Sequence, residues 1–412
     1  MNNCIPASAY CKKIFDGTHD TPKPVLSGFP LITSKNILGG VLNLKDSYNI
    51  SEVNYTEIQK RSKVSQWDIL FSMIGSVGEI YLEKSPNIPY AIKNVGVFSC
   101  DDEYKAKWLY YYFKSPQAKQ YIQNYLNGAV QKFLPLGTLR SFPVLPYDDK
   151  YISCIDLLFA LDSKIELNNR INAELEAMAK TLYDYWFVQF DFPDKNGKPY
   201  KTSGGKMVWN EELKREIPEG WEVKKIGKIL KTSLGGTPST KVIEYWENGK
   251  ISWLNSGEIA NFPIIDSELK ITEAAIKNSA TDLLPKGSVM LSITRHLRPS
   301  ILGIDACANQ SVVGILEKDD IKCYFLYPYL QNEIPRLMEM RSGAQQPHIN
   351  KEIVDESLIL LPNKKTDILK KYNAVVGHFY DSIINKAFQN QKLTELRVWL
   401  LPMLMNGQVK VN

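Results

Sequence analysis

The side chains with the most chemistry to offer fall in short polar runs. "DGTHDTPKP" (Asp16–Pro24) carries Thr18, His19, Thr21 and Lys23, "FPLITSKNI" carries Ser34, Lys35 and Asn36, and "NGAVQKFL" carries Gln131 and Lys132. Further along, "GGTPSTKVIEYW" carries Thr237, Ser239, Thr240 and Lys241, and "ISWLNSGEI" carries Asn255 and Ser256. "ITRHLRPS" adds Arg295, His296 and Arg298, and "SGAQQPHI" adds Gln345, Gln346 and His348. Arg and Lys pair with the edge of guanine and Asn and Gln with that of adenine. Hydroxyls bond to phosphate or base. Such runs suit contact with DNA. Any one of them also has the polarity of an ordinary solvated loop, and the Gly-Thr-Pro turns equally suit a purely structural role. Trp253, Trp246 and Tyr245 read as packing rather than base-stacking residues.

Catalytic arrangements are missing from the sequence. "GGTPST" lacks the lysine of a phosphate-binding loop, and there is no G-x-G-x-x-G. H-E-x-x-H, G-x-S-x-G, an Asn/Asp-Pro-Pro-aromatic run and a convincing nuclease cluster of Asp, Glu and Lys are absent too. The expectation is no catalytic residues and no metal.

The elements that position these runs come from 412 residues, enough for two or three domains. The chain is 44% hydrophobic and 23% charged, which supports buried cores, and its net charge of +5 is compatible with nucleic acid without requiring it. The six cysteines (Cys4, Cys11, Cys100, Cys154, Cys307, Cys323) form no C-x-x-C pair and have no histidine at zinc spacing. They read as reduced thiols of a cytoplasmic protein. "MNNCIPASAYCKK" has no apolar signal core, and no apolar run reaches the ~18 residues of a membrane span.

The chain is written twice. "FPLITSKNI" is echoed by "ISWLNSGEI", with Ser34 matched to Ser256. "DGT" is echoed by "GGT" (Gly17 matched to Gly236), "DILFSM" by "SVMLSI", and "KNVGV" by "NQSVV" (Asn94 matched to Asn309). "NGAVQKFL" is echoed by "SGAQQPHI" and "LDSKI" by "YDSII". The six echoes keep their order at offsets of 215 to 222 residues, too long for a solenoid and right for two whole domains. Each half mixes short β-type runs with helical stretches such as "AKWLYYYFKSPQAKQYIQNYL" and "YFLYPYLQNEIPRLMEM", then ends in a long helix.

In the first long helix, Leu158, Leu161, Ile165, Asn168, Asn172, Leu175, Ala179, Leu182 and Trp186 alternate steps of three and four, a heptad seam. Its repeat is Val376, Phe379, Ile383, Lys386, Asn390, Leu393, Arg397, Leu400 and Leu404, with Asn390 aligned to Asn172. Lys386 and Arg397 interrupt the second seam, and Pro402 should end or kink its helix. Narrow seams suit a partner helix, so an intramolecular antiparallel coiled coil spanning ~55 Å is expected. The fold class is α+β: two homologous mixed α/β domains separated by two long antiparallel coiled-coil helices. The boundaries read 1–147 for the first domain, 148–190 for the first spacer helix and 191–220 for an exposed crossover. The second domain takes 221–363 and the second helix 364–412.

This order of motifs resembles the specificity subunit of type I restriction–modification systems over nearly the whole chain. "GGTPST…YW…ISWLNSGEI" and "IPEGWEVKKIG" are similar to the opening of that family's second target-recognition domain. "ALDSKIELNNRINAELEAMAKTLYDYWFVQF" resembles its central spacer helix, and "LTELRVWLLPMLMNGQV" its C-terminal one. The resemblance implies two domains that each read half of a split double-stranded DNA target in the major groove. It also implies helices that dock two modification (methyltransferase) subunits binding S-adenosylmethionine. Restriction (motor-nuclease) subunits using ATP and Mg would be further partners. The chain itself would bind no cofactor.

Two departures stand out. The first half has no counterpart of "PEGWEVKKIG", so its N-terminal strand is shortened or completed by another segment. "FPLITSKNI" lacks the Trp of "ISWLNSGEI", so the domains should read different half-sites. A protein-binding scaffold, or the specificity subunit of a methylation-only system without a nuclease, fits the same sequence.

Overall fold

"DILFSM" and "SVMLSI" become the strands Ile69–Ser72 and Val289–Ser292, buried at every position, which is why they read as unbroken apolar runs. They lie in a computed structural model that describes residues 4–127, 133–343, 347–363 and 366–405. The chain forms two compact units, Met1–Ile165 with Leu393–Asn412, and Glu166–Lys392.

In the first unit, a four-stranded sheet runs in the order Lys13–Asp16, Val95–Ser99, Ile69–Ser72, Ile80–Leu82. A three-stranded sheet has Phe29–Ile32 at its centre, antiparallel to Tyr48–Ile50 and parallel to Ala91–Ile92. The second unit repeats both. Its four-stranded order is Thr232–Leu234, Val312–Ile315, Val289–Ser292, Arg298–Ile301. Ile251–Leu254 is likewise central, antiparallel to Leu269–Ile271 and parallel to Ala306–Ala308. Identical strand order and direction in both units confirm the duplication read from the sequence.

The register corrects two sequence matches. Gly17 N–H donates to Val95 O (2.9 Å) as Gly235 N–H donates to Val312 O (3.0 Å), so Gly17 corresponds to Gly235 and not Gly236. A Cβ would lie 2.4 Å from Ile92 O at Gly17 and 2.2 Å from Asn309 O at Gly235, so the close backbone approach demands glycine at both. Lys93 N–H donates to Ile32 O as Asn309 N–H donates to Leu254 O, so Lys93 and not Asn94 takes the place of Asn309, and Asn94 stands where the second unit has Gln310 and Ser311. Two residues connect Ile92 to Val95, and three connect Ala308 to Val312.

The described N-terminal strand is two residues long, against four for its counterpart in the second unit. Ile5–Pro6 pairs with Pro143–Val144, where the second unit pairs Glu222–Lys225 with Leu358–Leu361. In the first half, the helical stretch breaks at Ser115 between Glu103–Lys114 and Pro116–Asn127. In the second, Cys323–Glu339 runs through Pro328 and Pro335.

The long helices are Ile152–Tyr183, continued by a π-helical turn Asp184–Val188, and Ile368–Met405. Within the first unit, Cys154, Ile155, Leu158 and Leu161 share a core with Leu400, Leu401, Leu404 and Met405. Within the second, Ala179, Tyr183 and Trp186 share one with Tyr372, Val376, Tyr380 and Ile383. Low numbers on one helix meet high numbers on the other in both units, so the pair is antiparallel. Leu175, Leu182, Phe379 and Leu393 pack on these cores partly buried, and Ile165 is half-buried. Pro402 lies within the last described turn of its helix, three residues before Met405. The missing N–H is offset by the last turn, where Leu400, Leu401, Leu404 and Met405 are all buried.

The stretch expected to be an exposed crossover is more ordered than its composition suggests. Met207–Asn210 and Arg215–Pro218 form a hairpin, and Phe192, Ile217 and Trp221 are buried in the core of the second unit. Phe192 stacks on both Tyr200 and Trp221.

Candidate nucleic-acid interface

In the second unit, backbone bonds gather the polar runs at one edge of the sheets. Gly236 N–H donates to Ala308 O, Asn309 N–H to Leu254 O and Ile293 N–H to Ser311 O, at 2.9 to 3.0 Å. Ile349 N–H donates to Ile293 O and Arg295 N–H to Pro347 O, both at 3.0 Å. The runs around Thr237, Asn255, Gln310, Arg295 and His348 are therefore one surface, although the sequence scatters them over a hundred residues.

Thr237, Ser239, Thr240 and Lys241 are exposed there. Thr237 Oγ1 donates to Gln310 Oε1. Asn255 and Ser256 are half-buried, and Asn255 Oδ1 accepts the N–H groups of Gly257 (2.8 Å) and Glu258 (3.3 Å), a local turn bond. Arg295, His296 and Arg298 are exposed in the turn and strand after Val289–Ser292. Arg295 adopts φ 56°, and its carbonyl accepts Arg341 Nη1 at 3.1 Å. His348 bridges Thr294 and exchanges backbone bonds with Ser342. Gln345 and Gln346 lie outside the described residues.

The first unit builds the same edge with other side chains. Thr18 N–H donates to Ile92 O, Lys93 N–H to Ile32 O, and Leu134 N–H to Met73 O. His19 is exposed, with its ring between Asn94 Oδ1 (2.8 Å) and Asp16 Oδ2 (3.1 Å). Arg61 Nη2 holds the other Asp16 oxygen at 3.3 Å. Thr21 Oγ1 accepts Lys93 Nζ, and Lys23 and Lys35 are exposed. Gln131 and Lys132 lie outside the described residues.

Three expected contacts are structural instead. Asn36 is buried, accepts from Thr33 and donates to Asn43 O, so its amide is spent on folding the loop. Ser34 is buried and donates to Asn94 O, and Thr18 is buried with Oγ1 accepting from Asp20 N–H. Trp253 is buried and donates to Gly236 O, with Trp246 edge-on against it, so these rings pack the loop as expected. Asn94, Gln310, Arg61 and Arg341 belong to the edge and were not legible as such. Only the fold carries them there, though the positive φ of Asn94 (52°) is of a kind that asparagine tolerates.

Among the described residues, no group of three or more His, Cys, Asp or Glu is placed to hold a metal ion. Among them, too, no helix is long and apolar enough to cross a membrane. All six cysteines are free.

Residues 26–177 and 218–397 match the family described as "Type I restriction modification DNA specificity domain". The chain is 27% identical over 350 residues to the type I restriction enzyme MjaIX specificity subunit of Methanocaldococcus jannaschii, covering 83% of this chain and 78% of that one. It is 22% identical over 431 residues to the HindI specificity subunit of Haemophilus influenzae, covering 90% and 93%. In fold it is similar to the type I restriction–modification S subunit from M. genitalium, with a TM-score of 0.51, 16% identity and 97% and 95% coverage. With two matched specificity domains across most of its length, the chain belongs to the type I restriction–modification DNA specificity family, as a non-catalytic DNA-recognition subunit.

Proposed function

We propose that each unit reads one half of a split double-stranded DNA target through its loop edge, and that the long helices set the gap between the halves. The observation that carries this reading is one loop edge built twice in a single chain, with the same backbone bonds and different side chains. Exposed Lys23, Lys35, Lys241, Arg295 and Arg298 supply phosphate contacts that set register, and neighbouring amides and hydroxyls specify bases. With a net charge of only +5, the chain alone binds weakly. Partners closing around the duplex strengthen the hold.

Those partners are two modification subunits docked on the helices, which carry S-adenosylmethionine, and restriction subunits that use ATP and Mg. The complex works in the cytoplasm. In this reading, 1–147 and 221–363 are the readers, 148–190 and 364–412 the spacer helices, and 191–220 a crossover carrying the hairpin. The first helix, at 32 residues, spans ~48 Å, against a B-DNA repeat of ~34 Å.

Deleting one matched heptad from both helices should shorten the gap in the methylated motif and leave each half-site unchanged. An unchanged gap in an intact complex overturns the ruler. DNA affinity of the assembled complex should fall steeply with salt. A flat response favours a protein scaffold.

A further inference from the structure

The two units share a feature that neither sequence motif nor repeat alignment marks. Two residues after the paired glycines, one loop-edge side chain reaches across to an amide on the connection between the two sheets. In the first unit this is His19, whose Nδ1 meets Asn94 Oδ1 while Nε2 lies against Asp16 Oδ2, and in the second Thr237, which among the described residues donates to Gln310 alone. The backbone bonds that bring the partners together are the same: Thr18 N–H to Ile92 O matches Gly236 N–H to Ala308 O. His19, Thr237 and Gln310 are exposed and Asn94 is half-buried, so the ties sit at the open edge and not in a core.

A tie at such an edge costs side-chain entropy and, in water, returns little stability. Its occurrence twice, with different chemistry each time, points to orientation of a group that meets DNA. We infer that Asn94 and Gln310 are positioning residues for specificity, each holding the reader side chain of its own unit. This rests on the proposed reading of split DNA. Asn94 also takes Ser34 Oγ on its carbonyl, which fixes the connection itself. The side-chain tie is therefore separable from the backbone role.

The test is the map of methylated adenines made by the chain co-expressed with its modification subunit. Asn94→Gly keeps the positive φ and removes only the amide, and Gln310→Ala does the same for the second unit. Each should relax discrimination about tenfold in one half-site, a different one for each variant, with the gap and the other half-site unchanged. His19→Ala combined with Asn94→Gly should be no more relaxed than His19→Ala alone, because the two act as a unit. Gln310→Glu, which keeps the acceptor for Thr237, should restore discrimination lost in Gln310→Ala.

Unchanged discrimination in both half-sites overturns the inference. So does equal loss in both half-sites, or loss that follows a lowered unfolding midpoint. Gln310→Ala decides the matter if Asn94→Gly fails to fold. A wild-type map without a split motif would sink the underlying reading instead, and is told apart by that control.

Discussion

Asn168 Nδ2 donates to Asn390 Oδ1 at 2.8 Å, and Asn390 Nδ2 donates to Asn169 Oδ1 at 2.7 Å. Asn168 is fully buried, and its Oδ1 has no partner among the described residues. A buried amide in a helical seam is favourable in one register only, since any slip strands Asn168, while half-buried Asn390 can turn to water. Asn390→Leu should cost roughly 1–2 kcal/mol in urea unfolding, because it leaves Asn168 Nδ2 only its longer bond to Gln389 Oε1 at 3.4 Å. Asn168→Leu with Asn390→Leu should recover most of it. A single variant as stable as the wild type would deny the pair this role.

Asp162 is the polar counterpart in the first unit. Its carboxylate takes Arg397, Lys114 Nζ (3.1 Å) and the Tyr111 hydroxyl (3.2 Å). Burial would raise its pKa, but Lys114 and Arg397 outweigh that and hold it below the usual range. A depressed carboxylate pKa gives stability that is present above the unfolded value near 3.9 and lost as pH falls through the folded one. Asp162→Asn should therefore lower stability at pH 7 by roughly 1–3 kcal/mol and flatten the acid limb below about pH 4. Urea midpoints at pH 7 and pH 3 check both parts.

Asp68 behaves in the opposite sense. It is 1% exposed, and burial pushes its carboxyl up to about 6, against bonds from Ser99 and the Ser65 N–H. The folded state then holds the proton more tightly than the unfolded one. Stability from this group is full below about pH 4 and declines as pH rises through about 6. Asp68→Asn should remove that decline and leave the protein at least as stable at pH 7. Thermal midpoints from pH 4 to 7.5 would show it. Parallel curves for the two proteins would contradict the assignment.

Gly17 and Gly235 admit no side chain, because a Cβ would lie against a carbonyl oxygen. Gly17→Ala and Gly235→Ala should each destabilise by roughly 1–3 kcal/mol, and each should degrade a different half-site in a methylation map. Equal damage to both half-sites would argue against two independent readers.

The fold was legible where hydrophobic period is strong. The buried strands at Ile69 and Val289, the seam through Leu158 and Leu161, and the duplication all stand in the sequence. The hairpin at Met207–Pro218 was hidden because the Lys- and Gly-rich run before it reads as an exposed crossover, while Phe192 and Trp221, which anchor the segment, lie outside the hairpin. The interface was half legible. Exposed Lys241, Arg295 and Arg298 follow from polar runs, but burial of Asn36 and Ser34 comes from tertiary packing that no local pattern shows. Asn94 and Gln310 could not be matched, because the connections they sit on differ in length by one residue.

The central claim is that one chain carries two DNA readers. Its most direct test is a single-molecule map of methylated adenines on plasmid DNA, made with the modification subunit in the presence and absence of this chain. The account predicts a motif of two short specified halves around an unspecified gap, seen only when the chain is present. A motif without a gap, or no motif from a complex shown to be intact, would contradict it.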